Sequence, residues 1–299
     1  MLDVDQPLAQ VRAQAASLGE QGIFSLWCLQ IFGFDALTLL GLIGQEAPGV
    51  ELGTSVVPIF ARHPVALAAQ ALTVQEATGG RLTLGVGLSH QVVVENVFGA
   101  SYERPARAMR EYLQVLVPLL HDEQVSFQGE TLRTNTFGPL TVKALAPPVL
   151  VAALGTTMLR IAGRLADGTV TWMTGLHTVA EHIVPTIRQA ALDSGRPAPR
   201  VAVGLPVCVT DDVARAREQA DAVFRIYGAL PSYRAMLDRE QAGGPADVAV
   251  VGSETDVAAT LERLAAAGAT DFLGALFGSS EEKDRTGALL AALAREHRR

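Results

Sequence analysis

Cysteine is nearly absent from this 299-residue chain: Cys28 and Cys208 are the only two, each inside an apolar run. Neither belongs to a CxxC or Cys/His spacing, which leaves no disulfide framework and no cysteine zinc site. Two reduced, buried thiols are expected instead. Positive charge is also short, with 24 Lys and Arg against 31 Asp and Glu, a formal net charge of −7. No basic stripe exists to displace counterions from a phosphate backbone, so a nucleic-acid partner is not expected. No apolar run reaches membrane-spanning length without interruption by a charge or a glycine. The start, Met1-Leu2-Asp3-Val4-Asp5-Gln6-Pro7, lacks the basic region and apolar core of a signal peptide. The expectation is a cytoplasmic protein with no membrane partner. No carboxylate cluster for a metal and no paired acids for glycoside hydrolysis are evident. No GxGxxG follows the first strand with an acidic residue about 20 positions on, which argues against a doubly wound Rossmann sheet.

What is present is hydrophobic, 49% of residues with only 18% charged, and it alternates regularly. Seven short apolar runs read as strands, at 23–27, 50–57, 81–87, 148–153, 168–173, 201–209 and 271–277. Helical patterns stand between them at 35–45, from Pro64 to the Gly79-Gly80 stop, and at 105–121, 156–166, 178–194 and 255–267, with a closing helix at 283–297. Two excursions interrupt the series. One, 122–146, carries a small hairpin turning at Gly129. The other, 211–245, has two helical patterns with Tyr227, Tyr233 and Arg234 in or near them.

No linker divides the series, so residues 1–299 are expected to form one domain. The length and the βα alternation predict a (β/α)₈ TIM barrel with insertions, short of one strand. The short or missing strand is the first, since only Leu2 to Val4 stands before the helical pattern Leu8, Val11, Ala15, Leu18. A closed barrel would leave two edges unpaired there. Either the first five residues supply a surrogate strand, or the natural protein begins upstream.

In such a barrel the site lies at the carboxyl ends of the strands. Those ends read Cys28, Leu29 and Gln30; Ser55 and Val56; Leu88, Ser89 and His90; Ala153, Leu154 and Gly155; Trp172, Met173 and Thr174; Val209 and Thr210; Phe277 and Gly278. Small, apolar and hydroxyl-bearing residues dominate. Apart from the Cys28 thiol, His90 is the one titratable side chain, and its ordinary pKa suits proton transfer near neutrality. So little acid–base apparatus suits chemistry carried by a cofactor. Gly85-Val86-Gly87 lets backbone approach a planar ring or a phosphate. Gly155-Thr156-Thr157, and Thr174-Gly175 after the next strand, place helix N-termini where an anion is favoured, although Thr156 could simply cap its helix. Arg62 and His63 either reach an acidic cofactor tail or close the loop before Pro64. Trp172 is read as core or as a contact to a bound ring.

Gly53-Thr54-Ser55-Val56, Arg62-His63-Pro64, the run from Gly79 to Gly87, Arg104-Pro105-Ala106-Arg107, the strand from Pro148 to Ala153 and the run from Ala162 to Gly168 occur in an order and spacing that resemble one family. The chain is similar to the bacterial-luciferase-like superfamily, and within it to the coenzyme F420-dependent oxidoreductases. The resemblance implies a (β/α)₈ barrel, a homodimer and hydride exchange between F420 and a small organic substrate. It also implies a non-prolyl cis peptide at Ser55–Val56, in a bulge against which the deazaflavin rests. Cofactor contacts are expected from Ser55, Val56, Gly87, Leu88, Ser89, Ala152, Ala153, Gly155, Thr156, Trp172, Thr174 and Gly175.

His90 and Gln30 are the candidate catalytic residues. His90 stands where sugar-phosphate-oxidising relatives carry a glutamate, and Leu29-Gln30 replaces their Asp-His base pair. Gln30 can hydrogen-bond but cannot accept a proton at physiological pH, so reduction of a substrate by reduced F420 fits better than alcohol oxidation. The alternatives are a monooxygenase using reduced FMN and a non-catalytic flavin- or deazaflavin-binding barrel.

Overall fold

Strand and helix alternate from end to end of the described chain, residues 1–296 of this computed structural model. The strands are β1 (Ser25–Cys28), β2 (Glu51–Thr54), β3 (Val57–Pro58), β4 (Leu82–Gly87), β5 (Ser126–Gln128), β6 (Arg133–Asn135), β7 (Val149–Ala152), β8 (Gly168–Trp172), β9 (Arg200–Val209), β10 (Val250–Gly252) and β11 (Asp271–Leu276). The helices are α1 (Leu8–Glu20), α2 (Ala36–Ile43), α3 (Pro64–Ala77), α4 (Gln91–Asn96), α5 (Pro105–Leu120), α6 (Thr156–Leu165), α7 (Leu176–Thr178), α8 (Val184–Leu192), α9 (Val213–Ala229), α10 (Pro231–Glu240), α11 (Pro245–Val248), α12 (Glu254–Ala266) and α13 (Ser280–Glu296). Pro64, Pro105 and Pro231 open α3, α5 and α10, where a missing N–H removes no helical bond. None of the described helices is long and apolar enough to cross a membrane.

The strands β1, β2, β4, β7, β8 and β9 pair in that order, all parallel, and β11 adds to β9 along Ala202–Val207. The sheet curls into a nearly closed barrel, as expected for this alternation. Its interior holds Trp27, Leu150, Val170, Ala202 and Leu273, while the larger core lies between the strands and the helices outside. The floor is polar. Arg200 donates to Glu51 at 2.9 Å and to Asp271 at 2.6 Å, tying three strand starts together.

The barrel wall is thinnest between β1 and β11, which do not pair. Met1 and Leu2 stand in the gap: the Leu2 N–H donates to the Trp27 carbonyl at 2.9 Å, and the Met1 amine to the Gly274 carbonyl at 2.8 Å. The surrogate for the first strand is thus present, but only two residues long. A groove of about 1330 Å³ runs along the gap, lined by both strands and by α1 and α13.

Three features depart from the sequence expectation. The run 50–57 is not one strand; it breaks into β2 and β3. The helix expected at 178–194 begins earlier, and α7 passes into α8 through a π-turn, Val179–Ile183. The strand β10 and the helix α4 were not legible, being three and six residues long, too short to display a period. The expected end of the closing helix at His297 lies outside the described residues.

Candidate functional site

The break between β2 and β3 shapes the barrel mouth. Gly53 pairs with Thr83 and Val57 with Val86, so three residues, Thr54 to Val56, oppose two, Leu84 and Gly85. One residue is extra, which is a β-bulge, and the Ser55–Val56 peptide inside it is cis. The buried Thr54 hydroxyl takes over the ladder, accepting the Gly85 N–H and donating to the Gly85 carbonyl, both at 2.8 Å. The glycines of β4 answer to this bulge. A Cβ at Gly85 would lie 1.9 Å from the Thr54 carbonyl oxygen, and one at Gly87 would lie 2.5 Å from Val56 Cγ2 and 3.1 Å from Ala152 Cβ. The sequence reading gave these glycines to a ligand's approach; the contacts they permit are within the protein.

Val56, Gly87 and Ala152 therefore meet on one side of the mouth. Strand alternation puts Trp172, two residues beyond the inward Val170, on the interior face of the strand next to Ala152. Its ring lies over Gly204, and its Nε1 is buried without a hydrogen-bond partner. Ser89 and Met173, which follow β4 and β8, both hold left-handed backbone (φ 61° and 53°), unusual for residues with side chains and common at functional sites. Leu88 is half-buried and Ala153 fully buried, while the buried Thr174 hydroxyl donates to the Trp172 carbonyl at 3.2 Å.

His90 sits half-buried just before α4, and burial lowers its pKa below the ordinary imidazole value. It is neutral near pH 7. Cys28 is no competing nucleophile, because burial pushes its thiol up to about 12. The Gln30 Oε1 accepts the Ala36 N–H at 3.2 Å at the start of α2 and an Arg62 Nη1 donor at 3.5 Å. Arg62 is ion-paired with Asp35, and His63 Nδ1 accepts the Val65 N–H at 3.3 Å. Of the two roles open to Arg62 and His63, the structure shows loop closure.

The two expected anion sites are not alike. At Thr174-Gly175 the chain supplies its own anion. Glu240, the last residue of α10, accepts the His177 N–H at 3.0 Å and the Thr178 N–H at 2.8 Å, and a Cβ on Gly175 would lie 2.3 Å from its Cδ. After β11, Glu282 does the same work, accepting the Ser279 N–H at 2.8 Å and the Thr210 hydroxyl at 2.5 Å; these bonds hold its carboxyl down at about 2. The start of α6 has no such occupant. Gly155 precedes it with open space around its Cα and no side-chain cap, and Thr156 is the first helical residue rather than the cap. The π-turn sends His182 across to contact the Leu154 carbonyl at 2.8 Å, which fixes the loop leading to Gly155.

The sequence reading noted Tyr227 and Tyr233 without assigning them a role. The excursion after β9 lays both over the mouth in an edge-to-face series: His90 to Tyr233 at 5.5 Å between ring centroids, Tyr233 to Tyr227 at 5.4 Å, Tyr227 to Trp172 at 5.6 Å, then Trp172 to Phe224 at 6.0 Å. Their clustering in a chain only 5% aromatic was the signal available. Glu240 left no signal, being one acidic residue on a helix full of charges.

Comparison with known proteins agrees with this architecture. The family model described as luciferase-like monooxygenase matches residues 1–271. A putative coenzyme F420-dependent oxidoreductase of Mycobacterium tuberculosis is 29% identical over 259 residues, 81% of this chain and 73% of the relative. An F420-dependent glucose-6-phosphate dehydrogenase of Nakamurella multipartita is 29% identical over 230 residues, 73% of this chain and 67% of its own length. Among solved structures, an F420-dependent secondary alcohol dehydrogenase in complex with an F420–acetone adduct superposes with a TM-score of 0.79, covering 95% of this chain and 94% of that one at 18% identity. The FMN-bound oxygenating constituent of a type II Baeyer–Villiger monooxygenase from Pseudomonas putida gives 0.75 over 97% and 94% at 16% identity, so the shared fold alone does not choose a cofactor. With the fold, the bulge and the family model in agreement over nine-tenths of its length, the chain belongs to the luciferase-like monooxygenase family.

Proposed function

We propose that this oxidoreductase uses coenzyme F420, in its reduced form, to reduce a small organic substrate. The observation that carries the reading is the chemical poverty of the mouth. Among the strand-end residues the two titratable side chains are a neutral imidazole and a thiol held protonated, so a bound group has to supply the chemistry. The choice of F420 over FMN follows the relatives named F420-dependent, at 29% identity.

The residues present fit such a group. Val56, Gly87 and Ala152 give a small-residue wall for a flat ring, and the open start of α6 at Gly155 and Thr156 suits a phosphate. F420 bound there would supply a hydride. The protein's part is to bind, to orient and to exclude water. His90, with no hydrogen bond holding either ring nitrogen among the described residues, is placed to relay a proton to the atom that gains the electron pair. Gln30, tied to the start of α2, has a positioning role only. The test is turnover: decay of the reduced deazaflavin's spectrum on addition of a substrate panel, with an FMN-loaded control. Turnover with reduced FMN and oxygen but none with reduced F420 would overturn the reading.

A further inference from the structure

Three kinds of hydrogen-bonding group at the mouth have no partner among the described residues, and all stand on the aromatic series. Trp172 Nε1 is buried without one. Among the described residues the Tyr227 and Tyr233 hydroxyls also lack partners, as do the ring nitrogens of His90. A buried donor left unpaired, as Trp172 Nε1 is, costs free energy, and with the partner-free hydroxyls of the half-buried Tyr227 and Tyr233 beside it marks a place where a ligand completes them. Burial raises the pKa of both phenols, so Tyr227 and Tyr233 stay protonated and act as donors. Trp172 adds a third donor, and the neutral His90 adds no charge.

The surrounding surface is apolar and aromatic, successive rings meeting edge-to-face from Tyr233 through Tyr227 and Trp172 to Phe224. The cation next to Tyr233 in sequence is not free to meet an acid. Arg234, next to Tyr233, is committed to Asp238 at 2.8 Å and to the Ala242 and Gly243 carbonyls at 2.6 and 2.9 Å. The adjoining stretch of wall, at Val56, Gly87 and Ala152, is small-residue and suited to the cofactor ring. The aromatic side is left for the substrate.

We infer that the wall formed by Trp172, Tyr227 and Tyr233 selects a planar, uncharged substrate bearing a hydrogen-bond acceptor, of the class of aryl or conjugated carbonyl compounds. This rests on the proposed F420-dependent reduction but concerns the substrate half of the mouth, and it is tested by binding alone. Acetophenone and cyclohexyl methyl ketone share a carbonyl and a carbon count and differ in the planar ring. Each is titrated calorimetrically into the protein, alone and loaded with whichever of oxidised F420 or FMN it binds; glucose 6-phosphate serves as the anionic comparison.

Acetophenone should bind about three- to tenfold more tightly than the saturated ketone, the range an aromatic contact contributes beyond buried area. Tyr227→Leu should remove that preference. Tyr233→Phe, which keeps the ring and loses the donor, should weaken both ketones alike while keeping the preference. Equal binding of the two ketones, tighter binding of glucose 6-phosphate, a preference that survives Tyr227→Leu, or no binding of either ketone with and without cofactor would each overturn the inference. Should FMN bind in place of F420, the cofactor reading falls and the ketone comparison still decides the wall.

Discussion

Thr54 and Gly85 are joined twice, the threonine hydroxyl giving its proton to the Gly85 carbonyl and receiving the Gly85 N–H, each at 2.8 Å. One side chain thereby replaces the two main-chain bonds that the bulge removes from the β2–β4 ladder. Because Thr54 is fully buried, no water stands in if the hydroxyl is lost.

Thr54→Val keeps the shape and leaves two buried polar groups on Gly85 unpaired. It should lower unfolding free energy by about 1–3 kcal/mol in denaturant titration, with Thr54→Ser close to the parent. Gly85→Ala should do far worse, because its methyl meets the Thr54 carbonyl oxygen, which is backbone and cannot rotate away. A Thr54→Val protein as stable as the parent would show that the hydroxyl is not what holds the bulge.

Glu240 caps the start of α7 from another element, so cutting the cap should be visible at its acceptors. In Glu240→Ala, hydrogen exchange at the His177 and Thr178 amides should accelerate, with a stability loss of about 0.5–2 kcal/mol, the usual range for a lost cap. Gly175→Ala should reproduce the exchange pattern, since its methyl displaces the carboxylate, which is the mobile end of a side chain. Unchanged exchange in both variants would contradict the latch.

Burial holds His90 below the ordinary imidazole value, and it does the same to His182, against the raising effect of the Leu154 carbonyl. The unfolded chain therefore protonates first. The imidazole contribution to stability should be flat above pH 6.5 and decline as pH falls below it, levelling once the folded imidazoles protonate, on top of an earlier decline below pH 8 from the buried Met1 amine, held down at about 6. His90→Asn should make the decline shallower without removing it, because His182 and the Met1 amine remain. A parent whose stability rises on acidification through this window would contradict the assignment.

Most of the barrel was readable because its strands are buried on both faces and appear as continuous apolar runs between helical ones. The cis Ser55–Val56 bond, expected from the resemblance, is present. The bulge register was not readable, since Val50 to Val57 carries no proline or turn pair at the break, which depends on a hydroxyl bonding 31 residues away. The roles of Gly175 and Glu240 were hidden for a similar reason: 65 positions separate them, and only the folded excursion brings the carboxylate to the turn. Likewise the meeting of His90 with Tyr233 exists only once α10 lies over the mouth.

The cofactor is the claim on which the rest turns. Titrating the purified protein with oxidised F420 and with FMN under identical conditions, following ligand fluorescence, tests it most directly. The account predicts saturable binding of F420, at least about tenfold tighter than FMN, a difference of about 1.4 kcal/mol. It also predicts that Gly155→Asp, which places a carboxylate at the open start of α6, weakens F420 strongly. Equal or tighter binding of FMN would contradict it.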